Sequence, residues 1–202
     1  GAVFRNLLAC MKAPHPADPQ AHEKHRKVMG ADWGKQQDFT CLSVFCADCM
    51  VELALDRFNQ IDYSFQRGRL EVLAAHWQVG YIEAESNAMG EPLVEQLQRD
   101  GLPVYPFLTT LTTKPPLIES LALAFEREEA QWLDLQWATT ELEAYERKIS
   151  PTTNRSTYSA PAGVHDDSVI ARALAWHAAS SGESYGEVVA ATQYSIGASS
   201  PY

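Results

Sequence analysis

Apolar residues in this chain first come in short unbroken runs and later fall at helical spacing. Lys27–Trp33, Phe39–Ala47 and Met50–Phe58 are rich in Val, Leu, Met, Phe and Cys and are joined by short polar links. Runs of this length and composition predict buried strands. Gly34-Lys35-Gln36-Gln37-Asp38 predicts a turn, so the three strands form an antiparallel meander. The pattern then changes. Apolar positions 65, 70, 73, 74 and 77 predict a helix over Ser64–Trp77, followed by a short buried strand over Val79–Glu85. Glu91–Arg99 predicts a helix that tolerates Pro92 in its first turn. Leu102–Leu108 predicts a strand, and Pro116–Glu129, apolar at 117, 118, 121, 124 and 125, a helix. Trp132–Gln136 reads as a short extended piece, Ala138–Lys148 as a polar helix and Arg155–Ser159 as a strand. After a turn at Pro161–Gly163, positions 169, 170, 173, 174 and 176 predict a last helix over Asp166–Ala179.

This order predicts an α/β fold. One mixed sheet of five or more strands is antiparallel in its first part and parallel in its second, with helices on both faces. The first and fourth strands are neighbours in such a sheet. The proline-punctuated stretch Ala13–Pro19 excludes a helix or central strand. Residues 1–26 therefore read as a lead-in linker, 27–180 as the domain, and 181–202, small and polar, as a flexible tail.

A length of 202 residues suits one domain with some additional chain, and 46% hydrophobic residues suffice for a core. No apolar run approaches the roughly 18 residues of a membrane span. The net charge of −10 weighs against nucleic-acid binding, unless basic residues cluster on one face or a bound cation inverts the local sign. Candidates for such a face are the His22–Lys27 stretch, Lys35, Arg67, Arg69, Lys114, Arg147, Lys148 and Arg155.

Acidic residues change this picture most. Asp32 ends an apolar strand between small residues and Trp33, Glu83 and Glu85 share one face of the fourth strand, and Asp166 and Asp167 open the last helix. A buried carboxylate costs several kcal/mol unless something pairs with it, so acids at these places ask for a cation. If they converge, they form an oxygen-rich pocket for a hard divalent metal. Their sequence separation is too long for local pairing, so convergence must come from the fold. Glu85, at the strand end before Ser86-Asn87-Ala88-Met89-Gly90, is the stronger ligand candidate, with Glu83 as a supporting group or half of a salt bridge. Asp38 reads as a turn residue with a metal-orienting role as the lesser alternative, and His165 as either a helix-entry residue or a proton carrier.

Other patterns carry less. Cys46-Ala47-Asp48-Cys49 looks like a metal or redox pair but has no second pair at zinc-ribbon spacing, so these cysteines read as small strand hydrophobes. The four cysteines suit a reduced, cytosolic protein. His22 and His25 have no other ligands beside them in sequence and read as surface histidines. Gly30 through Lys35 falls short of a phosphate loop, with Gln36 where Ser or Thr is needed.

Gly30-Ala31-Asp32-Trp33-Gly34-Lys35 with Asp38-Phe39-Thr40, then Glu85-Ser86-Asn87-Ala88-Met89-Gly90-Glu91-Pro92, then Thr112-Thr113-Lys114, then His165-Asp166-Asp167 form an ordered set of motifs. Over roughly residues 27–180 the chain resembles the nuclease domain of large terminase subunits of tailed bacteriophages, a ribonuclease-H-like family. The resemblance implies that Asp32, Glu85, Asp166 and Asp167 are catalytic metal-binding acids, leaving open which of the last two is the principal ligand. It implies a two-ion Mg²⁺ or Mn²⁺ site, with ions about 4 Å apart, Asp32 bridging them, Glu85 on one and Asp166 or Asp167 on the other. It also implies endonucleolytic cutting of concatemeric double-stranded viral DNA during packaging, with little sequence preference and with 5′-phosphate and 3′-hydroxyl ends. Lys114 looks like a family position near the DNA, and Lys35 and Arg155 are its companions as phosphate-binding candidates. Glu83, Asp38 and His165 are supporting candidates. Gly1–Arg5 resembles the segment joining an upstream ATPase motor to the nuclease, so the chain is expected to be an excised domain. Its implied partners are that ATPase domain, the portal protein and the small terminase, in the host cytoplasm and away from any membrane. The alternatives are another ribonuclease-H-like nuclease, of junction-resolvase or integrase type, and a non-catalytic module of the packaging motor that docks DNA or the portal.

Overall fold

The computed structural model describes residues 2–34, 38–59, 62–88 and 90–181. Lys35, expected at the DNA, and the tail from residue 182 onward lie outside them. After a one-turn helix α1 (Leu7–Cys10) and a short 3-10 turn (Gln20–His22) come β1 (Lys27–Asp32), β2 (Thr40–Cys46) and β3 (Val51–Phe58). These are followed by α2 (Tyr63–Trp77), β4 (Tyr81–Glu85), α3 (Gly90–Arg99), β5 (Val104–Phe107), α4 (Lys114–Glu126) and α5 (Gln136–Ala144). A hairpin of β6 (Glu146–Ile149) and β7 (Ser156–Ser159) precedes the last helix, α6 (Asp167–Ser180).

The five-stranded sheet has the order β3-β2-β1-β4-β5. β1, β2 and β3 are antiparallel, and β4 and β5 run parallel to β1. The expected mixed sheet, with its first and fourth strands adjacent, is therefore present. All six residues of β1 are buried because both faces are covered. On one face Met29, Ala31, Leu42, Val44, Ile82 and Ala84 pack with Leu70, Trp77, Leu93 and Leu97 of α2 and α3. On the other, Val28 and Phe45 meet Ile118, Phe125, Ile170 and Leu174 of α4 and α6. Burying one Leu- or Phe-sized side chain contributes about 1.5–3 kcal/mol, so both layers are held mainly by apolar contact.

α6 lies on β1 because Gly30 has no side chain. A Cβ there would come 2.0 Å from the Ala171 carbonyl oxygen and 2.5 Å from the Ala175 nitrogen. Phe4, Cys10 and Met11, from the stretch read as a lead-in, are buried against the same layer.

The region after α4 differs from expectation. The polar helix ends at Ala144 rather than Lys148, and 146–149 instead form β6, paired with β7 from Glu146↔Ser159 to Ile149↔Ser156. β7 was legible, and a strand needs a partner for its backbone groups. The Ser150 N–H donates to the Arg155 carbonyl at 2.9 Å and closes that hairpin. Among the described residues, no helix is long and apolar enough to cross a membrane.

Candidate active site

Strand alternation puts Val28, Gly30 and Asp32 of β1 on the α6 face, together with Tyr81, Glu83 and Glu85 of β4. The parallel register pairs Gly30 with Glu83 and Ala31 with Ala84, so one step further along sets Asp32 beside Glu85. Both carboxylates thus stand at the carboxyl ends of adjacent parallel strands, where α/β sheets commonly hold ligands. The start of α6 brings Asp166 and Asp167 to the same place. Asp32 and Asp167 are buried.

Burial first, then Glu85 through its charge and a shared hydrogen bond, and then Asp167 and Asp166 hold the Asp32 carboxyl well above the usual carboxylate range. Asp167 is pushed up to about 7 by burial first and then by Glu141, Asp166 and Asp38, against a hydrogen bond from the Phe39 backbone. Its Oδ2 is buried with no hydrogen-bond donor. Lys114, at the first position of α4, places Nζ 3.6 Å from Asp166 Oδ2, which offsets part of this charge. Crowded, buried oxygens with a raised proton affinity, one of them without a hydrogen bond, fit a hard divalent cation in chemistry. The four acids are the residues that would hold one.

Neighbouring groups fix these side chains. Asn87 Nδ2 donates to Glu85 Oε2 at 2.9 Å, and its Oδ1 accepts from the Gly90 N–H at 3.1 Å. Gly90 must be small, because a Cβ there would come 2.2 Å from the Glu85 carbonyl oxygen and 2.6 Å from Trp33 Cδ1. The Gly34 N–H donates to Thr40 Oγ1 at 2.9 Å, and that hydroxyl donates to Gln66 Oε1 at 2.8 Å, closing the β1–β2 link. His165 stacks edge-on to Phe39 at 5.1 Å, with Nδ1 3.6 Å from Asp167 Oδ2 and 4.0 Å from Asp38 Oδ1.

Glu83 is not among the converging acids: both its oxygens meet His177 Nδ1 of α6 at 2.8 Å. Arg155 is exposed at the β6–β7 hairpin, next to Ser156. Ser156, Thr157 and Tyr158 line a cavity of about 400 Å³ with Lys114 and Thr110.

Two neighbours of the acids escaped the sequence reading. Glu141 of α5 is buried, accepts hydrogen bonds from the Ser168 N–H (3.0 Å) and hydroxyl, and has Arg57 Nη1 at 3.8 Å. Tyr145 is buried, and its hydroxyl is pushed up by burial, Asp166 and Asp32. The available signal was a carboxylate on the apolar stripe of α5, beside the buried Ala138 and Leu142. One expectation is corrected. Cys46 is buried in the apolar core as a strand hydrophobe, but His22 and His25 do not lack neighbouring ligands, because they meet Cys46 and Cys49 at the other end of β1.

The large terminase subunit of Thermus virus P23-45 is 29% identical over 153 residues, which is 75% of this chain and 31% of that protein. The chain thus corresponds to under a third of its curated relative. In structure it is similar to the large terminase nuclease from thermophilic phage G20c, with a TM-score of 0.77 and 26% identity, covering 87% of this chain and 97% of that one. The same nuclease with bound magnesium gives a TM-score of 0.77 and 26% identity, covering 87% and 96%. The family described as the terminase RNaseH-like domain matches residues 29–178, and this chain belongs to it.

Proposed function

We propose that this chain is the DNA-cutting domain of a phage packaging terminase, a divalent-metal-dependent endonuclease acting on concatemeric double-stranded DNA with little sequence preference. The observation that carries this reading is the convergence of Asp32, Glu85, Asp166 and Asp167 at the carboxyl ends of β1 and β4, with two of them buried and raised in proton affinity. These residues would hold two Mg²⁺ or Mn²⁺ ions, with Asp32 central.

When bound, such ions lower the pKa of an attacking water and stabilise the leaving oxygen of a phosphodiester. The chain's own residues prepare that chemistry. Asn87 orients Glu85. Asp167 offers an Oδ2 that accepts no hydrogen bond, and Asp166 is paired with Lys114, which favours Asp167 as the principal ligand of the pair. Lys114, beside Asp166 at the edge of the acids, would bind a flanking phosphate, and Arg155 and Lys35 are its companion candidates from the motif resemblance. Contacts of this kind read the backbone and not the bases. His165, with Nδ1 3.6 Å from Asp167 Oδ2 and 4.0 Å from Asp38 Oδ1, is the candidate proton carrier of this reading, with Asp38 as its supporting carboxylate.

In this reading residues 27–180 form the nuclease domain, 1–26 lead into it from an upstream ATPase domain while packing Phe4, Cys10 and Met11 on its core, and 181–202 follow as a tail. Its partners are then that ATPase, the portal protein and the small terminase, in the host cytoplasm during assembly. The test is digestion of supercoiled plasmid in parallel with EDTA, Mg²⁺ and Mn²⁺, using the chain and its Asp32→Asn variant. Cutting by the chain with metal, and none with EDTA or by a variant of unchanged circular dichroism, is expected. Full cutting by Asp32→Asn overturns the assignment.

A further inference from the structure

The end of β1 opposite the acids carries a cluster of different chemistry. His22 closes the 3-10 turn, His25 stands just ahead of β1, Cys46 ends β2, and Cys49 lies in the turn to β3. The antiparallel register pairs Lys27 with Cys46 and so lays the two stretches side by side. One ligand atom from each residue lies within 4.8 Å of all the others. The His22 and His25 Nδ1 atoms are 3.3 Å apart, Cys46 Sγ is 3.6 Å from His25 Nδ1, and Cys49 Sγ is 3.6 Å from His22 Nδ1 and 3.2 Å from His25 Nδ1.

Hydrogen bonding alone does not explain this packing. A neutral imidazole nitrogen has one in-plane lone pair or one proton, yet His25 Nδ1 faces three partners. A common central ion does explain it. Tetrahedral zinc, with Zn–S about 2.3 Å and Zn–N about 2.0 Å, implies N···N edges of about 3.3 Å and N···S edges of about 3.5 Å. Three of the four distances lie within about 0.1 Å of these edges, and the fourth is shorter by about 0.3 Å.

The surroundings are built to hold such a site. The Cys49 N–H donates to Cys46 Sγ at 3.3 Å, which steadies a thiolate. Met50, with φ 58°, turns the chain sharply after Cys49. Asp48 accepts from the Arg26 N–H at 2.7 Å and from its Nε at 3.0 Å, tying the turn to the residue after His25. Lys27 Nζ donates to the His22 and Glu23 carbonyls at 2.8 and 3.1 Å, fixing the His22 turn.

We infer that His22, His25, Cys46 and Cys49 bind one zinc ion in a closed Cys2His2 site that fastens the segment ahead of β1 to the β2–β3 turn. Two thiolates balance the ion's charge, and the imidazoles remain neutral. Thiolate and imidazole ligands select zinc over the hard cations suited to the acids, which lie the length of β1, about 17 Å, away. With four protein ligands and no open position, the ion is structural. This site goes beyond the nuclease reading and does not depend on it.

The test is the metal content of the untagged chain, purified from zinc-supplemented medium and dialysed against a weak chelator. One zinc per chain is expected in the wild type and in an Asp32→Asn/Asp167→Asn variant, and none in Cys46→Ser/Cys49→Ser. Should the serine variant fail to fold, cobalt titration of stripped wild-type protein decides. Tetrahedral d–d bands with a thiolate-to-cobalt charge-transfer band, displaced by zinc, support the site, and their absence overturns it. Zinc retained in a folded serine variant, zinc missing from the wild type, or a Cys46–Cys49 disulfide in the purified chain also overturns it.

Discussion

Two buried carboxylates two strands apart in one sheet are treated in opposite ways. Glu52 of β3 is fully buried and fully engaged. Arg172 of α6 donates to it from Nε and Nη2, at 3.1 and 2.9 Å, Ser43 Oγ at 2.8 Å and the Leu133 N–H at 3.0 Å. Asp32 of β1 is surrounded by acids instead, and its proton affinity rises. The same helix serves both, delivering a guanidinium to one and two further carboxylates to the other. Paired burial of charge holds elements together, whereas unpaired burial stores a demand for a ligand.

The contrast can be broken from either side. The largest effect is expected at Asp32: the asparagine variant should lose about four orders of magnitude in plasmid cutting, about 5–6 kcal/mol of barrier, with its melting temperature unchanged or raised. Next comes the Glu52–Arg172 pair. Arg172→Leu strands the Glu52 charge and should lower stability by about 3–5 kcal/mol in urea titrations, and Glu52→Leu/Arg172→Leu should lower it less.

Asp167 gives a smaller, pH-dependent effect. Its folded pKa of about 7 stands above the ordinary 3.8, so the folded state binds more protons over that window. In EDTA, wild-type stability should therefore decline as pH rises from about 4 to about 7. Asp167→Asn should lack that component and exceed the wild type by about 1–2 kcal/mol at and above pH 7, after allowing for solvent screening. Thermal melts across pH check this, and parallel curves would contradict it. The smallest effect is at His177, whose pKa is raised chiefly by its hydrogen bond to Glu83. That contribution is fully present below the ordinary 6.5 and is lost as pH rises through the folded value. His177→Gln should cost about 0.5 kcal/mol below pH 6.5 and progressively less above it.

β1 and β2 are buried on both faces and β4 nearly so, and such strands write themselves as apolar runs. β3 and β5 are only partly buried and were legible from Val, Leu and Phe between turns, while the adjacency of β1 and β4 followed from the element order. The acids stood out because each interrupts an apolar element. β6 was not legible, since Glu146–Ile149 is mostly exposed and a polar strand on a small hairpin has no apolar alternation to display. Glu141 was hidden because α5 reads as a polar helix unless its short buried stripe of Ala138, Glu141 and Leu142 is picked out, and Glu141 accepts from the first turn of α6. The histidine–cysteine cluster was hidden differently. Each half looks inert alone, and only the register that sets residue 27 against 46 shows that 22–25 and 46–49 are neighbours.

The missing side chain at Gly30 has a consequence in time. Because α6 rests directly on β1, the carboxyl cluster is complete only when the last helix of the domain docks on its first strand. During synthesis Asp32 leaves the ribosome well before Asp167. The cluster therefore cannot assemble on a nascent chain until the domain is nearly finished, and a truncated product stopping before α6 would carry Asp32 and Glu85 without their partners.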